Sequence, residues 1–180
     1  ERVLPDLGRN IKCGNSLIGS DFYEQQSLSL DDIERARINV FDWEKEFPDI
    51  VKAGGFDAVI GNPPYISALA LSKLQGADIK EYWKNSFKTA KGTYDIYVIF
   101  LEKALLLARE GGYVSFITPN KFLSSPYGQA LREFLLARHS LDQIVDYSRV
   151  PVFDDASVYP VITVLRARQQ FPKQVYVLRA

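Results

Sequence analysis

Methionine is absent from all 180 residues, and the chain holds one cysteine, Cys13, and one histidine, His139. A lone cysteine excludes an internal disulfide framework. With a single His and a single Cys, no zinc set of nitrogen and sulfur ligands can be assembled, and His139 next to Arg138 reads as a favourable dipole partner at a helix end. No apolar run reaches the roughly 20 residues that a membrane helix needs, because "YVIFLEKALLLA" is interrupted by Glu102 and Lys103. Nothing at the N-terminus resembles a secretion signal. A soluble protein of a reducing, cytoplasmic compartment is therefore expected. With no methionine to open it, the chain reads as part of a longer polypeptide. Net charge is also missing: 22 basic residues balance 22 acidic ones, a poor match to a domain that grips nucleic acid unaided.

What is present is globular in composition, 47% hydrophobic and 13% aromatic, with neither repeats nor low-complexity tracts. The charge is uneven. Acidic residues dominate between Asp21 and Lys52, whereas residues 66–93 hold Lys73, Lys80, Lys84, Lys88 and Lys91 against Asp78 and Glu81. A polyanion would approach this second segment; otherwise it is a solvated loop and helix.

The pattern predicts a short strand in "NIKCGNSLI" ending at Gly14, a helix in "SLDDIERAR", and a helical turn or two in "FDWEKEFPDIVKAGG" broken by Pro48. A buried strand, "FDAVIG", is followed by a long polar connection. Thr93 is the expected N-cap of "YDIYVIFLEKALLLARE", whose Ile96, Phe100, Ala104 and Leu107 share one helical face and which Gly111 and Gly112 would end. Then come a strand "YVSFITP", a helix "SPYGQALREFLLAR", and strands in "LDQIVDY", "YPVITVLRA" and "KQVYVLRA". Alternation of this kind implies an α/β fold with a mostly parallel sheet, whose ligands sit at the carboxyl ends of the strands.

At one such end stands Asn62-Pro63-Pro64-Tyr65. The prolines stiffen the chain and carry no N–H, so the carbonyls here are acceptors without neighbouring donors. The Asn62 side-chain oxygen and the Pro63 carbonyl together suit a group with two hydrogens, such as an exocyclic amine. Tyr65 adds a face for stacking a heteroaromatic ring, worth roughly 1–3 kcal/mol per base. Holding both amine hydrogens draws the nitrogen towards tetrahedral geometry and frees its lone pair to attack an electrophile. The plainer alternative is a rigid turn after a strand.

The ten residues "FDAVIGNPPY" resemble the catalytic motif of S-adenosylmethionine-dependent amino-methyltransferases. "GTYDIYVIFLEKALLLAREGGYVSFITPNKFL" and "VFDDASVYPVITVLRA" are similar to the following segments of gamma-class N6-adenine DNA methyltransferases, notably type IIG restriction-modification enzymes. The resemblance implies a Rossmann-like methyltransferase fold ending in an antiparallel hairpin, S-adenosyl-L-methionine as cofactor, double-stranded DNA as partner and a prokaryotic cytoplasm. It implies that Asn62 and Pro63, stiffened by Pro64, hold the adenine amine, that Tyr65 stacks on the flipped base, and that Phe153 closes the base from its other face. Phe153 could equally be a core aromatic. Phe100 would line the cofactor's adenine pocket, with plain packing as the alternative, and Asn15 would face the cofactor adenine, with Asn39 competing.

The family's glycine-rich loop, F-x-G-x-G, and its ribose-binding acid occur nowhere in these residues. "GNSLIGS" is no phosphate-binding loop, lacking the Lys-Ser/Thr. In the family sheet the missing strands lie between the "KCGN" and "NPPY" strands, so Ile11 to Cys13 would have no neighbour to pair with. Residues 1–180 are thus expected to form the acceptor-side portion of a methyltransferase domain, inactive alone, with the cofactor loop and a target-recognition domain elsewhere in the same polypeptide. Two other readings stand beside this one. A protein glutamine methyltransferase also uses "NPPYI", and a degenerate methyltransferase-like module would only hold DNA or a partner.

Overall fold

The computed structural model of the chain describes residues 7–24, 30–138, 140–153, 158–167 and 175–180. It divides into two compact units, residues 1–49 and 50–180.

In the first unit three short helices are α1 (Asp21–Glu24), α2 (Asp32–Ile38) and α3 (Trp43–Glu46). The acidic start of α2 is a capping box: the Asp31 carboxylate accepts from the Glu34 amide at 2.7 Å, and the Glu34 carboxylate accepts from the Asp31 amide. Leu17, Ile18, Phe22, Ile38 and Phe41 are buried and form a small core. The strand expected at residues 11–13 is not formed. Among the described residues its vicinity offers only an isolated parallel bridge between Asn15 and Val40, so Ile11 to Cys13 lack the extended neighbour that a strand needs.

Helix α4 (Pro48–Lys52) begins at the proline that separates it from α3 and is followed by the expected glycine pair. Gly55 has φ +122, and a Cβ there would lie 2.5 Å from the Leu107 carbonyl oxygen. Only glycine fits this turn into β1 (Phe56–Gly61).

The long connection expected after β1 is largely helical. It contains α5 (Ala68–Gln75), capped by the Ser67 hydroxyl accepting from the Ala70 amide at 3.1 Å, and α6 (Ala77–Ser86) beyond Gly76. Helix α6 buries Ile79, Tyr82 and Trp83 and leaves Lys80 and Lys84 exposed, the signature of an amphipathic helix.

Helix α7 (Tyr97–Leu107) is shorter than expected at both ends. Thr93 does not cap it, because Asp95 is drawn into an antiparallel bridge with Ser67: the Ala68 amide donates to the Tyr94 carbonyl at 2.9 Å and the Ile96 amide to the Ile66 carbonyl at 2.8 Å. Ile96, already helical at φ -59, takes the N-cap place. It stops before the glycines because β2 (Ala108–Pro119) has already begun to pair with β1. Tyr97, Val98, Ile99 and Leu101 are all fully buried, so α7 is apolar nearly all round, as a central helix is. Its one buried charge is Glu102, 2% exposed, whose carboxylate accepts from the Lys88 amide at 3.0 Å and the Thr89 amide at 2.8 Å. That carboxylate fixes the loop between α6 and α7.

Two 3-10 turns, Asn120–Leu123 and Pro126–Gly128, lead into α8 (Gln129–Arg138); Pro126, expected near the start of this helix, opens the second turn instead. His139 lies outside the described residues. Strands β3 (Ser140–Asp146), β4 (Pro160–Arg166) and β5 (Tyr176–Arg179) complete a five-stranded sheet ordered β1-β2-β4-β3-β5. The β1–β2 and β3–β5 pairs are parallel, and β4 is antiparallel to both β2 and β3. Four strands thus run one way, and the β3–β4 pair supplies the expected antiparallel hairpin. One expectation fails. Within this sheet β1 is an edge, and Ile60 is 82% exposed, because no described residue pairs with its outer side or covers that face.

Candidate functional site

The parallel register sets Gly61 opposite Phe116 at the carboxyl end of β1. The chain then overshoots by four residues and is caught again one step further along β2, where the Tyr65 hydroxyl donates to the Ile117 carbonyl at 3.0 Å. Between these anchors stand Asn62, exposed, Pro63, buried, and Pro64, exposed. Among the described residues nothing donates to the Asn62 carboxamide or to the Pro63 carbonyl. The prolines cannot donate to them, and the strand ends before a ladder could. The acceptors expected from the sequence are therefore unspent.

Tyr65 is held on three sides. Its ring meets Tyr97 edge to face, with centroids 6.4 Å apart and planes at 82°, and Phe153 likewise at 5.9 Å and 83°. Partial burial raises the Tyr65 hydroxyl above its ordinary pKa, so it remains a neutral donor. The sequence pointed to the company of Phe153, but the geometry differs from a sandwich. The two rings touch directly and at right angles, so a flat base could lie between them only after Phe153 turned away. Residues 154–157, part of the loop that carried this resemblance, lie outside the described residues.

Behind Tyr65 is a set of residues that the sequence did not announce. The Tyr97 and Tyr127 hydroxyls are 2.7 Å apart, and the Tyr127 hydroxyl donates to the Asp95 carboxylate at 3.3 Å. Phe122 packs edge to face on Tyr97 at 6.3 Å. Burial, ahead of the bond to Tyr127, holds the Tyr97 phenol far above its ordinary range. Their separation of about 30 positions leaves no local signal; only the "TYDIY" segment, rich in hydroxyls at the start of an apolar helix, hints at them. At the carboxyl ends of β2 and β3, the Asn120 amide donates to Ser148 Oγ at 3.2 Å, and Ser148 donates through its hydroxyl and amide to Asp146. Those two bonds hold the Asp146 carboxyl below its usual range.

The residues expected to face a cofactor belong to different units, Phe100 to the second and Asn15 and Asn39 to the first. Phe100 is half-buried on α7. Asn15 belongs to the first unit, where its side-chain oxygen accepts from the Leu17 amide at 3.3 Å and its own amide donates to the Asn39 carbonyl at 2.6 Å. Asn39 closes α2 in the left-handed conformation, φ 49, with its amide 3.8 Å from Cys13 Sγ. The residues present offer two acceptors at the Asn62–Pro63 tip to which no described residue donates, while these 180 residues hold no F-x-G-x-G loop for a methyl donor. Among the described residues no three His, Cys, Asp or Glu side chains cluster as metal ligands, and no helix is long and apolar enough to cross a membrane.

Known proteins resemble this arrangement. The chain is 30% identical over 164 residues to the type II restriction enzyme and methyltransferase RM.Eco57I of Escherichia coli, covering 91% of this chain and 15% of that protein. It is 31% identical over 127 residues to the type II methyltransferase M.BstVI of Geobacillus stearothermophilus, covering 70% and 21%. It thus spans about a fifth or less of the length of these curated relatives. Among solved structures, a Listeria monocytogenes protein described as a class I S-adenosylmethionine-dependent methyltransferase superposes with TM-score 0.56 at 16% identity, over 69% of this chain and 36% of that one. A cryoEM structure of a DrdV–DNA complex gives 0.53 at 18%, over 77% and 16%. The fold is accordingly that of the class I S-adenosylmethionine-dependent methyltransferases. The Eco57I restriction-modification methylase profile matches residues 6–153, and the chain belongs to that family.

Proposed function

We propose that this chain is the acceptor-side portion of a DNA adenine-N6 methyltransferase that acts on a base swung out of the duplex. S-adenosylmethionine supplies the electrophilic methyl group. The chain's own residues prepare the nucleophile: the Asn62 carboxamide oxygen and the Pro63 carbonyl accept the two amine hydrogens, which localises the nitrogen lone pair. Tyr65, braced by Ile117 and Tyr97, stacks on the purine, and Phe153 turns to meet its other face. The amine nitrogen would gain the methyl as the methyl–sulfur bond breaks to leave a neutral thioether, and then give up one proton to solvent, so atoms and charge balance. Extrusion of a base costs a few kcal/mol, comparable with the stacking that two aromatics return.

The observation that carries this reading is the pair of unspent acceptors at a rigid strand tip beside a fixed aromatic ring. Amide-bearing side chains of proteins offer the same two hydrogens, but membership of a restriction-modification methylase family favours a nucleobase. The test uses the full-length protein, labelled S-adenosylmethionine and plasmid DNA. Label should appear on adenine N6, and Asn62→Ala should abolish transfer while cofactor binding stays within about two-fold. Label on cytosine, on protein, or on DNA treated with the Asn62→Ala variant would refute the assignment.

A further inference from the structure

A cavity of about 670 Å³ in the second unit is lined by Lys80 and Lys84 of α6 and by Lys88 and Lys91 of the loop that follows, with Phe87 and Tyr94 in its wall and no carboxylate. Lys80, Lys88 and Lys91 have no ion pair with any described residue. Lys84 is 3.6 Å from Glu81, but both side chains are about two-thirds exposed, and such a pair contributes little in water. Two carboxylates stand close by without lining the cavity: Glu102, buried and bonded to the Lys88 and Thr89 amides, and Glu133, in an adjoining cavity that shares Lys91 and Gly92, where it accepts from the Gln129 amide at 2.8 Å. Four lysines therefore line one concavity whose wall holds no carboxylate, and three of them have no ion pair among the described residues.

The backbone under these lysines is fixed at both ends. The buried Glu102 carboxylate holds the amides of Lys88 and Thr89. Three residues beyond Lys91, the pairing of Tyr94 and Ile96 with Ala68 and Ile66 ties the same loop to the segment directly after Tyr65. A ligand held by Lys88 and Lys91 is thus joined to the Asn62–Tyr65 tip by one short, hydrogen-bonded path.

We infer that this pocket binds phosphodiester groups of a nucleic-acid backbone and so grips the strand from which the base is swung out. The inference rests on the DNA reading above and supplies the electrostatic hold that a chain of zero net charge otherwise lacks. Phosphate contacts carry no sequence information and scale with counterion release, so the site should show itself as salt dependence and not as specificity.

The experiment measures affinity of the full-length protein for a target and a non-target duplex by fluorescence anisotropy across a salt series. It compares the unaltered protein with the double variants Lys88→Gln/Lys91→Gln and Lys88→Arg/Lys91→Arg. For two phosphate contacts, the slope of log affinity against log salt should fall by about 1.8 in the glutamine variant, a loss of about 60-fold at 0.1 M salt. The loss should be equal on both duplexes, and the arginine variant, which keeps both charges, should not show it. An unaltered slope in the glutamine variant, or a loss confined to the target duplex, would overturn the inference while leaving the methyltransferase reading intact. Conversely, a steep slope lost as expected, in a protein that labels no DNA, would uphold the pocket and sink the enzyme.

Discussion

Glu102 is the residue on which the basic loop depends, and replacing it by alanine gives a magnitude that can be worked from the structure. Its carboxylate is 2% exposed and accepts two backbone amides. A hydrogen bond to a charged group contributes about 1.5–3 kcal/mol. The Lys88 amide is only part-buried, so water can replace the lost acceptor and the low end applies. The Thr89 amide is buried, in a residue with no exposed surface, and takes the high end. The sum is about 4.5 kcal/mol, from which relief of the carboxylate's desolvation subtracts one or two, leaving roughly 3 kcal/mol. Because the effect is local, hydrogen exchange read by mass spectrometry on peptides covering residues 87–93 of the full-length protein is the suitable assay. At 1.4 kcal/mol per factor of ten, these amides should exchange about 100-fold faster in Glu102→Ala. Glutamine, which keeps one acceptor oxygen, should fall between. An acceleration of less than three-fold, or a glutamine variant looser than the alanine one, would refute the reasoning that the carboxylate holds this loop.

Two further outcomes are expected. Tyr97→Phe removes the hydroxyl that meets Tyr127 but keeps the ring against Tyr65 and Phe122, so it should cost about 1 kcal/mol in denaturant unfolding and leave methyl transfer within a few-fold, whereas Tyr97→Ala should impair both. Burial lifts the Tyr94 phenol from 10.0 to about 12, and its side chain is only 4% exposed. Below pH 10 both folded and unfolded forms keep the proton; between pH 10 and 12 the unfolded chain loses it while the folded one does not, so stability should fall by a few kcal/mol, on the order of 3, over that window. Tyr94→Phe should flatten this alkaline decline, and an unchanged decline would show that another group titrates.

The sequence disclosed most of the sheet, because "FDAVIG", "YVSFITP" and "YPVITVLRA" are apolar runs closed by turn residues, a pattern that survives in any context. It disclosed Asn62, Pro63 and Tyr65 for a similar reason: two consecutive prolines rule out both helix and ladder whatever surrounds them. Where it misled, tertiary contacts outweighed local preference. Tyr94 and Asp95 gave up a helical start to pair with residues 67 and 68, and Ala108 left the helix to join β1. Helix α6 was only partly legible: Ile79, Tyr82 and Trp83 at i, i+3 and i+4 mark a buried face that four charged residues in the same ten obscure. The Tyr97–Tyr127–Asp95 group and the perpendicular contact of Phe153 on Tyr65 were not legible, since each joins residues that only the folded backbone brings within reach.

One feature of the sheet bears on how the molecule is made. The single reversed strand, β4, occupies residues 160–166, yet it lies between β2 and β3 and bonds to both. As the polypeptide leaves the ribosome at roughly 5–20 residues per second, β2 waits for some forty residues with one flank unpaired, and β3 has nothing to dock on. That interval is when an open strand flank is most prone to recruit a foreign chain, so a ribosomal pause placed shortly before the codon for Pro160 should lower soluble yield, and one placed shortly after Arg166 has cleared the exit tunnel should not.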